Sequence, residues 1–157
     1  MACKHPMEAL QNKMRYELLN DSLHFGETWV TIKGSSMATH LKDGCPALVK
    51  KAEVLRPGDI LVYKDGDELI SHRLIRKRRN KNGEVFFQTK PDNGPALDEP
   101  VALNAILGKI VALRTNQDII RLDNLRGCCI AFYFWLLSSA EAFLHKYVKV
   151  PELHLHR

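Results

Sequence analysis

The sequence lacks most of the features that mark out specialised function classes. It has only four cysteines in 157 residues, and none forms a C-x-x-C pair. That excludes a disulfide framework and the usual zinc-ligand spacings. Cys128 and Cys129 adjoin within an apolar stretch, so reduced, buried thiols are the expectation. The first 27 residues contain no long apolar run, so neither a secretory h-region nor an N-terminal membrane span is expected. Strands and helices do not alternate, which argues against a doubly wound sheet, and no internal repeat is visible. Charge of one sign does not dominate: 23 Lys+Arg stand against 18 Asp+Glu, a net charge of +5. With 45% apolar and 26% charged residues the composition is that of an ordinary globular chain, neither disordered nor collagen-like. The length suits one self-sufficient core rather than a large multidomain enzyme.

What is present falls into three stretches. In residues 1–27, Met7, Leu10, Met14, Leu18 and Leu19 recur at helical spacing, which predicts an amphipathic helix over 7–21. Asn20-Asp21-Ser22 and Gly26 supply its stop signals. From 28 to 122, short β-rich runs alternate with turn signals. The runs are Thr28–Ile32, Ala47–Val49, Ile60–Tyr63, Leu69–Ile75, Val85–Thr89 and Ile106–Leu113. Between them stand Asp43-Gly44, Pro57-Gly58-Asp59, Asp65-Gly66-Asp67, Asn82-Gly83 and Asn93-Gly94-Pro95. This spacing predicts a mainly β, strongly bent domain.

In residues 123–157 the apolar run Gly127–Ala140 reads as a second helix, extended past Glu141 by Ala142, Phe143 and Leu144. Ile130, Phe134, Leu137 and Leu144 share a face that Glu141 interrupts, which argues against a deep span. Packing on the domain or on a partner is the first expectation for 127–144, attachment to a membrane surface the second, and a spanning tail the third. A cytoplasmic location, or a peripheral one at the cytoplasmic membrane face, follows as an expectation. Arg76-Lys77-Arg78-Arg79 and Lys81 concentrate positive charge beside Asn80, Asn82 and Gly83. They read first as a solvated hairpin tip and second as a run that touches phosphates or an anionic membrane surface, and no nucleic-acid partner is expected. His154 and His156 alternate with leucines near the C-terminus and read as ordinary residues. No metal or cofactor is expected.

Three segments carry candidate chemistry: Lys33-Gly34-Ser35-Ser36-Met37, Ile70-Ser71-His72-Arg73-Leu74-Ile75, and Thr89 through Asp98. They supply a serine, a histidine and two acids. A serine hydroxyl needs a neighbouring base to become a nucleophile, an imidazole can take its proton, and a carboxylate can orient the imidazole. Ser36 follows a strand directly, so its own amide at the bend can face an oxyanion. Gly34 leaves room for a substrate backbone.

Order and spacing add weight. Gly34-Ser35-Ser36-Met37, Asp43-Gly44, Arg56-Pro57-Gly58-Asp59-Ile60-Leu61-Val62-Tyr63, Ser71-His72-Arg73-Leu74-Ile75, Phe87-Gln88-Thr89-Lys90, Asp92-Asn93, Asp98 and Gly108-Lys109-Ile110 follow one another over about 80 residues. Gly34 to Leu113 thereby resembles the catalytic domain of type I signal peptidases, in the Ser–His branch found in endoplasmic reticulum, archaea and spore-forming bacteria. The resemblance implies a signal peptidase/LexA-like coiled antiparallel β-sheet domain, here with N-terminal and C-terminal helices. It implies a serine endopeptidase that binds a peptide or protein as an added strand and cuts after small residues. Ser36 matches the nucleophile, His72 the general base and Asp98 the orienting acid, while Asp92 matches an acid near the site. Gly34, Ser35 and Met37 fall in the substrate-binding and oxyanion region. Thr39, Cys45, Pro91 and Gly94 depart from the family pattern. Two other readings stand beside this one. A LexA-type self-cleaving protein shares the fold but uses a lysine base, and a non-catalytic peptide- or protein-binding module would keep only the groove.

Overall fold

Eight β-strands form one antiparallel sheet in the computed structural model, which describes residues 6–37, 41–51, 53–115 and 118–147. In chain order the elements are α1 (Pro6–His24), β1 (Glu27–Thr31), β2 (Pro46–Lys50), β3 (Ile60–Asp65), β4 (Glu68–Arg79), β5 (Val85–Lys90), β6 (Val101–Ala102), a 3-10 turn (Leu103–Ala105), β7 (Ile106–Arg114), β8 (Ile119–Arg121) and α2 (Leu125–Tyr147). The spatial order is β1-β2-β7-β3-β4-β5-β6, with β8 on the end of β7. Thr39, Cys3, His154 and His156 lie outside the described residues.

The sheet bends because its ladders are interrupted. Register shifts occur between Leu48 and Val49, between Val62 and Tyr63, and between Leu74 and Arg76. Each adds local twist and coils the sheet. Alternation along the strands then sends successive side chains to opposite faces. Val49, Ile60, Val62, Ile110 and Leu113 join Ile32, Met37 and Leu41 in one cluster. Leu61, Tyr63, Leu74, Phe87 and Val101 form another. Burying each of the larger aliphatic side chains contributes about 1.5–3 kcal/mol relative to exposure.

The β4 strand is twelve residues long and changes partners along its length. Its first part, Glu68–Arg73, pairs with β3, and its second part, Arg73–Arg79, pairs with β5. Among the described residues, one edge of Leu69–His72 is therefore outside the ladder. Among the described residues the β1 strand pairs with β2 alone, so its other edge is likewise outside the ladder.

Several expectations need correction. The basic run Arg76–Arg79 belongs to β4 itself, and the turn lies at Asn80–Glu84. Long cationic stems can lie along a sheet surface: Lys77 sits over the Phe87 ring and Arg76 Nε donates to Gln88 at 2.8 Å. The α1 helix buries Leu19 and Leu23, while Met7, Leu10, Met14 and Leu18 are exposed. Helical spacing located the stripe but not the side that packs. Cys128 and Cys129 are exposed rather than buried, since they sit on the sides of α2 turned from the sheet. Of the face assigned to α2, Phe134 is half-buried, but Ile130, Leu137 and Leu144 are exposed.

Candidate active site

The β3–β4 register sets the imbalance of polar groups on one face. Leu61 stands opposite His72 and Tyr63 opposite Ile70, so the Tyr63 and His72 side chains point to the same side in diagonal positions. Asp98 is held beside β5 by its own backbone: its N–H donates to the Thr89 carbonyl at 2.9 Å. Three donors then converge on one carboxylate oxygen. His72 Nδ1 lies 2.7 Å from Asp98 Oδ2, Thr89 Oγ1 donates to the same atom at 2.7 Å, and the Tyr63 hydroxyl donates at 3.3 Å.

Burial alone would push the Asp98 carboxyl up. The hydrogen bonds from His72 and Thr89, the charge of the imidazole and the Tyr63 hydroxyl outweigh it and hold the carboxyl below its ordinary value. Burial, reinforced by the Asp98 charge, pushes the Tyr63 phenol well above its ordinary value despite the Thr89 hydroxyl. Tyr63 is thus a donor and Asp98 an acceptor across the neutral range. Because ionised Asp98 can only accept, Nδ1–H is the donor of this contact, and in a neutral imidazole the lone pair is then on Nε2.

Ser36 lies in the turn after β1, half-buried. Gly34 adopts φ +102°, a conformation that favours glycine, and a side chain there would meet open space. Its N–H is already donated to Asp43 Oδ1 at 2.9 Å, so Gly34 shapes the loop and its amide is committed to Asp43 rather than to an oxyanion. Met37, expected in the substrate region, is 1% exposed. Its side chain pins the loop into the core, and its sulfur accepts the Asp92 N–H at 3.4 Å. The Ser35 carbonyl accepts from Asn93 Nδ2, and the Ser36 carbonyl accepts from Asn93 N–H at 3.1 Å.

The Asp92 carboxylate lies near the site, gripped by Arg73, Nε to Oδ1 at 2.8 Å and Nη2 to Oδ2 at 2.6 Å. Arg73 also donates to the Gly58 carbonyl at 2.9 Å. Asp92 therefore braces the site, because its neighbours touch both sides of it: Asn93 holds the serine loop and Arg73 follows His72. His72 makes its hydrogen bonds among the described residues through Nδ1, to Asp98 and Tyr63, and none of them reaches Ser36. Tyr63 and Thr89 were not singled out by sequence. The signal available was two polar side chains in otherwise buried strand positions.

A groove of about 600 Å³ runs between α1, β1 and the open part of β4. Thr28, Val30, Thr31, Ile32 and Lys33 line one wall and Glu68–Ser71 the other, with Asn12, Arg15, Leu18, Leu19 and Ser22 of α1 closing the side. The lining runs along the chain to Ser71 on one wall and Lys33 on the other, next to His72 and just before Gly34-Ser35-Ser36. Among the described residues no group of three or more His, Cys, Asp or Glu is arranged to hold a metal ion.

No curated protein matches the chain. The family model described as Peptidase S24-like matches residues 1–111, from α1 through most of β7. The antiparallel sheet with flanking helices fits the S24/LexA-like β fold of serine peptidases. On that match, covering residues 1–111 of 157, the chain belongs to the Peptidase S24-like family.

Proposed function

We propose that the protein is a serine endopeptidase of the signal peptidase type, with Ser36 as nucleophile, His72 as general base and Asp98 as orienting acid. The observation that carries this reading is the His72–Asp98 contact at 2.7 Å, which leaves Nε2 as the basic nitrogen. It is backed by two open strand edges that share one groove. An extended peptide or protein segment enters the groove as an added strand, its backbone meeting the free edges of β1 and β4. Ser36 Oγ attacks the scissile carbonyl carbon while His72 Nε2 takes the hydroxyl proton. The Ser36 amide at the bend faces the oxyanion. The imidazolium then protonates the departing amine, and water hydrolyses the ester. Cleavage after small residues is the specificity that the signal peptidase resemblance supplies.

The second reading, a peptide-binding module without catalysis, is favoured by one observation: the His72 hydrogen bonds do not include Ser36. One experiment separates them. A library of unstructured peptides is incubated with the wild type and with Ser36→Ala, and products are read by mass spectrometry. Cleavage by the wild type alone supports the peptidase. Binding by both with cleavage by neither assigns the groove to recognition.

A further inference from the structure

The α2 helix lies beyond the family match and packs against the sheet with its less apolar side. Gly127, Ala131, Trp135 and Ser138 face inward, flanked by Phe134 and Glu141. Ala131 lies against Gly58, where an added Cβ would come within 2.9 Å of the Ala131 carbonyl oxygen. Trp135 Nε1 donates to the Ile75 carbonyl at 2.7 Å, and Phe134 lies under the Arg73 guanidinium. The Glu141 carboxylate accepts from Lys90 Nζ at 2.9 Å, and Lys90 is wholly buried. The opposite stripe is Phe132, Tyr133, Leu136, Leu137, Phe143 and Leu144, all exposed.

This is the reverse of a water-facing helix, which turns its polar side out. Residues 127–140 contain no Asp, Glu, Lys or Arg. The segment Gly127–His145 has a mean hydropathy of 1.5 and is only 11% buried. Polar groups turned toward protein and apolar groups turned away is the arrangement that hydrocarbon selects. The contacts with Gly58, Ile75 and Lys90 hold the helix along the sheet. Positive charge lies nearby: β4, which accepts the Trp135 hydrogen bond at Ile75, continues into Arg76–Arg79, and Lys77, Arg78, Arg79 and Lys81 at this end of the strand are exposed.

We propose that α2 lies in the headgroup region of an anionic phospholipid bilayer, its outer stripe on the acyl chains and the basic hairpin on the headgroups. The proposal rests on α2 and the hairpin, not on the peptidase reading.

The test is co-sedimentation of the full chain with vesicles of equal parts phosphatidylcholine and phosphatidylglycerol, and with phosphatidylcholine alone. The wild type is expected to pellet with the anionic vesicles. Phe132→Glu combined with Leu136→Glu leaves the inward contacts intact and is expected to weaken binding about tenfold or more. Lys77→Gln, Arg78→Gln and Arg79→Gln together are expected to weaken binding to anionic vesicles several-fold, with circular dichroism unchanged. A wild type that stays in the supernatant, or a Phe132→Glu/Leu136→Glu protein that binds as well as wild type, overturns the proposal. So does a wild-type dimer that ignores vesicles and dissociates on Leu136→Glu, which would assign the face to a second copy.

Discussion

Arg73 and Asp92 form a two-point ion pair, at 2.8 and 2.6 Å, with side chains only 2% and 3% exposed. The pair joins the residue after His72 to the residue before Asn93, whose amide and side chain hold the serine loop. It fixes the spacing between two chain segments.

Removing Asp92 leaves a buried, unpaired guanidinium. Asp92→Ala is expected to destabilise the fold by about 3–5 kcal/mol, because a buried charge loses its partner. Urea denaturation checks this. Asp98→Ala, at a more exposed carboxyl, is expected to cost less stability and more activity than Asp92→Ala. The reverse ranking would move the orienting role to Asp92.

Ser36→Ala and His72→Ala are each expected to lower peptide cleavage about a thousandfold or more, with unchanged circular dichroism. The double variant is expected to be no worse than either single one, because nucleophile and base act as a unit. Single-turnover assays on one cleaved peptide provide the comparison.

Folding holds the Asp98 carboxyl below its ordinary value. Its contribution to stability is therefore fully present above the unfolded value, about 3.9, and is lost as pH falls through the lower folded value. Asp98→Asn is expected to lose less stability on acidification than wild type does, as read from urea midpoints between about pH 6 and about pH 3. Tyr63→Phe removes one of three donors to Oδ2. It is expected to raise the Asp98 carboxyl, move the acid limb of the activity profile upward and slow cleavage about tenfold.

Gly58 has φ +95°, and an added Cβ would press on the Ala131 backbone. Gly58→Ala is expected to cost about 1–3 kcal/mol and to loosen α2. Glu141→Gln, which strips the charge facing buried Lys90, is expected to cost roughly 1 kcal/mol, since Glu141 is itself half exposed. Hydrogen exchange of the Gly127–His145 amides reports the loosening in both.

Turn chemistry made much of the sheet legible. Asp65-Gly66 and Asn82-Gly83 mark the two hairpins on either side of β4, and alternation placed the strands. Two short strands, Val101–Ala102 and Ile119–Arg121, were not legible, because pairs and triplets carry no period. Spacing alone also could not say that Asp92 would turn to Arg73 while Asp98 turned to His72. That choice depends on the shifted β4–β5 register between Leu74 and Arg76, a tertiary fact. The two helices failed in the same way. Periodicity finds a stripe, but only docking decides whether it faces inward, and for Met7, Leu10, Met14 and Leu18 it does not.

Among the described residues, Leu69–His72 of β4 have no ladder partner on one side, while β1 faces the same groove. Anything that zips into this gap must offer unspent amides and carbonyls along several consecutive residues. Segments already coiled into helices or locked inside another sheet have none to give. On the proposed strand-addition reading, selection therefore begins with the shape of the incoming chain, and tails, linkers and newly made polypeptides are expected to qualify before any side chain is inspected.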